Sequence, residues 1–342
     1  MSSFATMVSG VGWRLLGHWR VVYIGSARTK RNSYINSHAA VVHTYVQSEK
    51  KYCAKMFTLL LVSAGLIALY VLHNWYLKRP RCKSNAKFHG KTVIVTGSNT
   101  GIGKTTAIYL SRRGARVIMA CRDKQRAEAA ISNIMKETVN NEVVFMELDL
   151  GSLQSVRSFA ETFLKSEFRL NILVNNAGES CIAGMSPVLM VTVASKAHEY
   201  GKIDFNCLST HKDLAVGESD WALFRKYSHS KLCNMLFTHE LAKRLEGTNV
   251  TCYSLCPGHP VYFLSQEHFL WFMMSAPILS LFYMDAESGA QTTLYCALQE
   301  GIEPLSGCYF SCCAVQKVNA NTKDDAMAKK LWEVSETLCG MS

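Results

Sequence analysis

A short apolar run, Thr92–Thr96, passes through Thr96-Gly97-Ser98-Asn99-Thr100-Gly101-Ile102-Gly103 into a segment with helical spacing. Nothing else in the 342 residues limits the possible folds so strongly. Glycines at 97, 101 and 103 let the backbone bend tightly and come close to a ligand. A helix starting there offers unpaired N–H groups and the positive end of its dipole to an anion. Strand, glycine turn and helix in this order form the opening of a βαβ unit that cradles a dinucleotide pyrophosphate. Gly-x-x-x-Gly-x-Gly alone is a weak pattern, and a purely structural turn is its plain alternative.

The rest of the chain repeats the alternation. Strand-like runs occupy Thr92–Thr96, Arg116–Ala120, Val143–Leu148, Leu170–Val174, Val188–Val193 and Val250–Leu255, with amphipathic helical stretches such as Lys104–Arg113 and Ser152–Lys165 between them. Such alternation predicts an α/β fold, a doubly wound parallel sheet of the Rossmann-like kind. No internal repeat or low-complexity tract interrupts it. The second run ends Ala120-Cys121-Arg122-Asp123, roughly 20 residues past the glycines, where the adenosine ribose falls in such folds. Arg122 precedes the acidic residue and can pair with a 2′-phosphate, which favours NADP(H). Asp123 leaves NAD(H) open, and a solvated surface charge is the plain reading of Arg122.

Tyr227-Ser228-His229-Ser230-Lys231 opens an amphipathic segment predicted to be helical as far as about Leu245. Residues four apart share a helix face. An ammonium beside the phenol, together with the positive charge of a bound nicotinamide cofactor, is expected to lower its pKa from the ordinary value of about 10. The tyrosine then serves as general acid or base for a carbonyl/alcohol pair. Tyr-x-x-x-Lys is common by chance, but here Ser195 follows a predicted strand upstream.

Composition narrows the rest. Hydrophobic residues make up 49% of the chain and proline contributes six, which excludes a disordered protein. The net charge of +11 is assigned to membrane flanks and helix faces. No basic helix with interleaved aromatics and no zinc-finger spacing points to nucleic acid. The 13 cysteines include no Cys-x-x-Cys, and the chain is long for a disulfide-stapled fold, so most are read as reduced thiols and no metal site is expected.

Four segments follow. Residues 1–55 are basic, with no acidic residue before Glu49; such a stretch is either an untargeted extension or a mitochondrial transit peptide. Residues 56–77, from Met56 to Leu77, carry no charge and match one bilayer crossing of roughly 20 residues. Trp75 and Tyr76 sit where interfacial aromatics belong. Residues 78–88 are a basic linker, whose charge favours a cytosolic catalytic part, and residues 89–342 hold the α/β domain.

Thr96–Gly103, Asp149 in Leu-Asp-Leu, Asn175-Asn176-Ala177-Gly178, Ser195, Tyr227 with Lys231, and Pro257-Gly258 together resemble the signature of the short-chain dehydrogenase/reductase family, in the expected order. Ala120–Asp123, His229–Leu232, Phe237–Leu245, Glu287–Ala297, Ser306–Phe310 and Leu331–Ser335 resemble its microsomal retinol dehydrogenases, from about Met56 to the C-terminus. The resemblance implies the following roles. Thr96, Gly97, Asn99, Gly101, Ile102 and Gly103 form the pyrophosphate cradle. Arg122 holds the 2′-phosphate and Asp149 the adenine. Asn176, Ala177, Gly178, Pro257 and Gly258 line the cofactor cleft. Ser195 hydrogen-bonds the substrate oxygen, Tyr227 transfers the proton, and Lys231 holds the nicotinamide ribose. It also implies a lipophilic substrate, a retinoid or lipid aldehyde, and an endoplasmic reticulum membrane, with a mitochondrial membrane as the alternative. The oligomeric state is left open.

The chain departs from that family twice. Between Gly178 and Ser195 it is about thirty residues short. If Val188–Val193 is the next strand, only Glu179–Pro187 return the chain to it, whereas a parallel crossover takes a dozen or more residues and usually a helix. The crossover helix between strands four and five is therefore expected to be missing, together with the family's tetrad asparagine, and apolar side chains on that sheet face are expected to be exposed. Second, Tyr262 stands where the family has a small hydroxyl residue after Pro257-Gly258. The apolar stretch Val261–Tyr283 falls where a substrate lid is expected, with a core-packing helix as the alternative.

Overall fold

The computed structural model describes residues 28–76, 81–177, 188–209, 219–258 and 285–341. Gly178, the Glu179–Pro187 link, Tyr262 and the Val261–Tyr283 stretch lie outside these residues, as do residues 1–27 of the basic extension. The chain divides into two units, residues 1–72 and 73–342.

Most of the first unit is one helix, α1 (Arg28–Tyr76), 49 residues and therefore about 73 Å long at 1.5 Å per residue. It does not start at Met56; the basic residues Lys50, Lys51 and Lys55 sit on the same continuous helix. Within it His43–Tyr70 is long and apolar enough to cross a bilayer, with mean hydropathy 1.8 and none of its best window buried against protein. Leu59, Leu66 and Leu69 each present more than half of their surface.

The second unit is built on an eight-stranded sheet: β1 (Thr92–Thr96), β2 (Arg116–Cys121), β3 (Val143–Glu147), β4 (Ile172–Asn175), β5 (Leu189–Val193), β6 (Thr251–Cys256), β7 (Tyr309–Ser311) and β8 (Ala314–Val315). The spatial order is β3-β2-β1-β4-β5-β6-β7-β8. Every pairing is parallel except β7 with β8. The doubly wound parallel sheet expected from the alternation is thus present. The first six strands fall within two residues of their sequence-predicted positions. β7 and β8, of three and two residues, carry too little periodicity to be read in advance.

Helices α2 (Gly101–Arg112), α3 (Lys124–Thr138), α4 (Leu153–Ser166), α5 (Phe205–Ser209), α6 (Asp220–Arg244), α7 (Ala286–Leu298) and α8 (Asp325–Leu338) complete the unit. Successive strand side chains point to opposite faces, so each strand contributes to two apolar layers. Val93, Val95, Val117, Val191 and Val193 pack in one cluster with Ala107 and Leu110 of α2, Ile134 of α3 and Leu294 of α7. Ile94, Ile118, Leu173, Met190 and Cys252 pack in the other with Val156, Phe159 and Phe163 of α4. Burial on both faces explains the unbroken Val/Ile/Leu runs. Phe159 and Phe163 are each about 2% exposed, and burying such side chains stabilises by roughly 1.5–3 kcal/mol apiece.

The link from β4 to β5 is the shortest parallel crossover in the sheet, thirteen residues from Asn176 to Val188. By comparison Gly97–Ala115, between β1 and β2, is nineteen residues and includes α2. The expected exposure of apolar side chains does not follow. Leu173, Met190 and Cys252 are buried, because Phe159 and Phe163 reach them from α4 while Leu241 and Ala242 of α6 pack on the same cluster. What is left uncovered is polar bonding capacity. Asn175 and Thr192 are register partners on β4 and β5. Both are buried, at 3% and 0% exposure, yet Asn175 Oδ1 and Thr192 Oγ1 have no hydrogen-bond partner among the described residues.

Candidate active site

The glycine turn closes into a cradle through the two strands beside it. Thr96, the last residue of β1, accepts hydrogen bonds on Oγ1 from the backbone N–H of Asn176 and of Ala177, each at 3.0 Å. The Asn176 amide donates to the carbonyls of Thr96 at 3.0 Å and Gly97 at 3.3 Å. Such close approach explains the glycines. A Cβ on Gly103 would lie 2.5 Å from both Asn176 Nδ2 and the Gly97 carbonyl oxygen. One on Gly97, at φ +62°, would lie 3.1 Å from the Ala177 methyl group. Gly101 begins α2, and the preceding Thr100 makes no side-chain cap, so the first N–H groups of the helix keep their bonding capacity for a ligand. Ile102 props the turn from below: a Cβ on Gly289 of α7 would meet its Cδ1 at 2.9 Å. Asn99 is partly buried in the same turn.

At the end of β2 the two candidate ribose residues separate. Asp123 caps α3, accepting from the Arg126 N–H at 3.0 Å, and its other oxygen lies 3.2 Å from the Arg126 guanidinium. Arg122 beside it is exposed. After β3, Asp149 accepts from the Gly151 N–H at 3.0 Å and donates its own N–H to Ser155 Oγ at 3.0 Å, which holds it over the start of α4. Pro257 and Gly258 are buried past the end of β6. Gly178 cannot be placed, lying outside the described residues.

The catalytic candidates converge at the C-terminal ends of β5 and β6. Helix α6 begins at Asp220, capped by Ser219, so Tyr227 sits in its third turn instead of opening it. Ser195 caps the short 3-10 turn Lys196–Tyr200 that follows β5, its Oγ accepting from the Ala197 N–H at 3.2 Å. The Ser195 hydroxyl also hydrogen-bonds the Tyr227 phenol. Lys231 is 4% exposed; its Nζ donates to the Val193 carbonyl at 3.1 Å and lies 5.4 Å from the centre of the Tyr227 ring. Ser195, Tyr227 and Lys231 are therefore brought together.

Without cofactor, burial raises the Tyr227 pKa above the ordinary tyrosine value, and the Ser195 hydrogen bond only partly opposes this. Burial also pushes Lys231 itself down to about 8, with the nearby Cys256 thiol acting the other way.

Three neighbours were not singled out from the sequence. Asn234 Nδ2 donates to the same Val193 carbonyl at 3.3 Å. Its position three residues after Lys231 was a readable helix-face signal. His198 is buried, its Nδ1 2.6 Å from the Ser195 carbonyl, and its ring meets that of Tyr309 edge-on at 5.0 Å. Cys256 lies beside Tyr227, Lys231 and Tyr309. Neither His198 nor Cys256 carries a sequence signal, because tertiary packing alone brings them in.

A cradle that a single Cβ would fill, an uncapped helix start and an exposed arginine at the ribose position match the donor set a nicotinamide dinucleotide needs. The profile of the short chain dehydrogenase family matches residues 91–208. This chain belongs to the short-chain dehydrogenase/reductase family, the oxidoreductases that this fold and site define. Within it, the chain is retinol dehydrogenase-like. Dehydrogenase/reductase SDR family member 13 of Bos taurus is 44% identical, the match covering 84% of this chain and 83% of the relative. Retinol dehydrogenase 12 of Mus musculus is 37% identical over 84% of this chain and 99% of its own length. A crystal structure of an uncharacterized protein from Mycobacterium paratuberculosis shares the fold at TM-score 0.56 and 29% identity, over 77% of this chain and 98% of that one. The bovine match spans 322 aligned positions but covers only 84% of these 342 residues, about 287, so roughly 35 positions of the relative face nothing here. That shortfall is close in size to the thirty or so residues by which the Gly178–Ser195 interval was expected to be short.

Proposed function

We propose that this chain is an NADP(H)-dependent reductase of retinal or related lipid aldehydes, reversible to the alcohol, held in the endoplasmic reticulum membrane by the apolar part of α1. The observation that carries this reading is the joint presence of the closed cradle and the Ser195–Tyr227–Lys231 cluster. Arg122 supports NADP(H) over NAD(H), since Asp123 is already committed to capping α3. The cofactor, when bound, supplies the hydride. Gly97, Gly101 and Gly103 let backbone N–H groups approach its pyrophosphate, while Asp149, Asn176, Ala177, Gly178, Pro257 and Gly258 line the cleft. Ser195 donates a hydrogen bond to the substrate carbonyl oxygen, and Tyr227 gives its phenolic proton to that oxygen. Lys231 holds the ribose hydroxyls and keeps positive charge near the phenol.

A raised phenol pKa keeps Tyr227 protonated at neutral pH, which suits the general acid of aldehyde reduction. Reduction should therefore stay high through neutral pH, whereas alcohol oxidation, which needs the phenolate, should climb as the pH rises toward and past about 10. The direct test is NADPH oxidation with all-trans-retinal by membranes expressing the chain, beside a Tyr227→Phe twin at equal protein level. Loss of at least about 100-fold is expected in the twin, the usual scale of general acid catalysis; equal turnover would sink the mechanism. Co-localisation with a mitochondrial marker would overturn the membrane assignment.

The shortened β4–β5 link favours a second reading, a homologue that binds NADP(H) but turns over poorly. No turnover in either protein, with NADPH still raising protease resistance after Lys83, would select it.

A further inference from the structure

Near the catalytic cluster, large aromatic side chains lie open to solvent. Trp221 is 65% exposed, Tyr200 64% and Leu223 49%. Trp221 and Tyr200 form one patch through Phe224: the Trp221 ring stacks on it at 5.5 Å and the Tyr200 ring lies 5.7 Å away. Phe224 precedes Tyr227 by one turn of α6, and Tyr200 ends the 3-10 turn that Ser195 caps. The patch therefore shares its two supporting elements with the catalytic pair. Soluble surfaces seldom gather tryptophan, tyrosine and leucine without a use for them.

The chemistry of the patch fits a lipid–water interface. Trp and Tyr have apolar bodies with a polar tip and concentrate at headgroup level. Close in sequence to Tyr200 and Phe224, Lys196, Lys202 and Arg225 are exposed and Lys226 is partly buried. Of the neighbouring acids, Asp204 is engaged by the N–H groups of Asn206 and Cys207, while Glu199 is exposed. Exposed cations on the elements that carry the aromatic side chains suit an anionic leaflet.

We infer that Tyr200, Trp221 and Phe224, with the exposed lysines and arginine of the same elements, form a docking face for the surface of an anionic lipid bilayer, which lets lipophilic substrate enter from the membrane. This rests on the proposed lipid-aldehyde activity and bilayer anchor, but it can fail independently of them.

The test uses the full chain in nanodiscs of phosphatidylcholine, alone or mixed with phosphatidylserine. Quenching of tryptophan fluorescence by shallow-brominated lipid is compared between the wild type and Trp221→Phe. KM and kcat are compared between the wild type and a Tyr200→Ser/Trp221→Ser double variant, for bilayer-dissolved retinal and for a short water-soluble aldehyde. Docking predicts a Trp221-dependent quenched component that grows with phosphatidylserine. It also predicts a KM for bilayer retinal raised about tenfold in the double variant, equivalent to 1.4 kcal/mol, with kcat and the soluble aldehyde unaffected. Equal quenching in wild type and Trp221→Phe overturns the proposal. So does protection of Trp221 that persists in detergent and tracks dimer formation, which would assign the face to a second copy. If neither aldehyde is turned over, the proposed activity fails, and the quenching comparison still decides docking.

Discussion

The two halves of the sheet solve their polar bonding differently. Around β1 and β2, Thr96, Asn176 and Ala177 are tied together by short hydrogen bonds, and the glycines fit with no room for a Cβ. Around β4 and β5, two buried oxygens on register-paired residues have no partner among the described residues, and the crossover is thirteen residues long. The first half closes through bonds from Thr96 to Asn176 and Ala177, 80 and 81 residues on, at the end of β4. The second is short of two bonding partners among the described residues, which leaves it incomplete without unfolding it. Cofactor binding is therefore the sturdier property and turnover the more vulnerable one.

Lys231→Met probes the vulnerable half and should have the largest effect. Reduction should fall about 100-fold or more as the ribose contact and the charge disappear, while the folded protein becomes more stable. The sign follows from the pKa. Held down to about 8 in the fold against about 10.4 in the unfolded chain, Lys231 binds protons more weakly when folded. It therefore destabilises the fold fully below about pH 8, and this effect fades as the pH rises to the ordinary lysine value. Asn234 still bonds the Val193 carbonyl in the variant. Thermal melts should put the variant above the wild type at pH 7, with the gap closing by pH 10; a constant gap would remove burial of the ammonium as its cause.

Arg122→Ala tests the sturdy half. A charge-assisted hydrogen bond contributes about 1.5–3 kcal/mol, so KM for NADPH should rise roughly 10- to 100-fold while that for NADH hardly moves. Equal effects on both cofactors would mean Arg122 never touches the 2′-phosphate.

Thr192→Val carries the smallest effect and bears most directly on the contrast. The substitution keeps the shape and deletes an oxygen that makes no hydrogen bond among the described residues. Stability should rise by about 1 kcal/mol, a shift of about 2–4 °C in Tm. A drop of similar size would show that Thr192 Oγ1 has a partner, such as ordered water, and that this half is as fully bonded as the other.

Much of this was legible beforehand, for identifiable reasons. The strands through β6 and the cradle residues could be read because period-two runs and glycine turns are local signals. Tyr227 and Lys231 share a helix face by spacing alone, as read. Spacing could not say that Lys231 Nζ is drawn to the Val193 carbonyl or that burial raises the Tyr227 pKa before a cofactor is bound. The start of α6 was set seven residues late because Asp220–Lys226 precede the recognisable motif, although Ser219 was available as a cap signal. The shortened crossover was legible as a length, whereas its outcome was not. Phe159, Phe163 and Leu241 converge on Leu173 only in three dimensions.

The thirteen-residue link also bears on the order in which the sheet assembles. Ile172 pairs with Leu189, seventeen residues on, whereas Leu189 pairs with Thr251, sixty-two residues on. Loop-closure entropy grows with the logarithm of length, so the first pairing is easier to close by about 1 kcal/mol. Among the parallel pairs of this sheet it has the smallest separation along the chain. Shortening the crossover thus turns the central β4–β5 contact into a local one, able to form early and to template the distant strands β6 and β7 that arrive later.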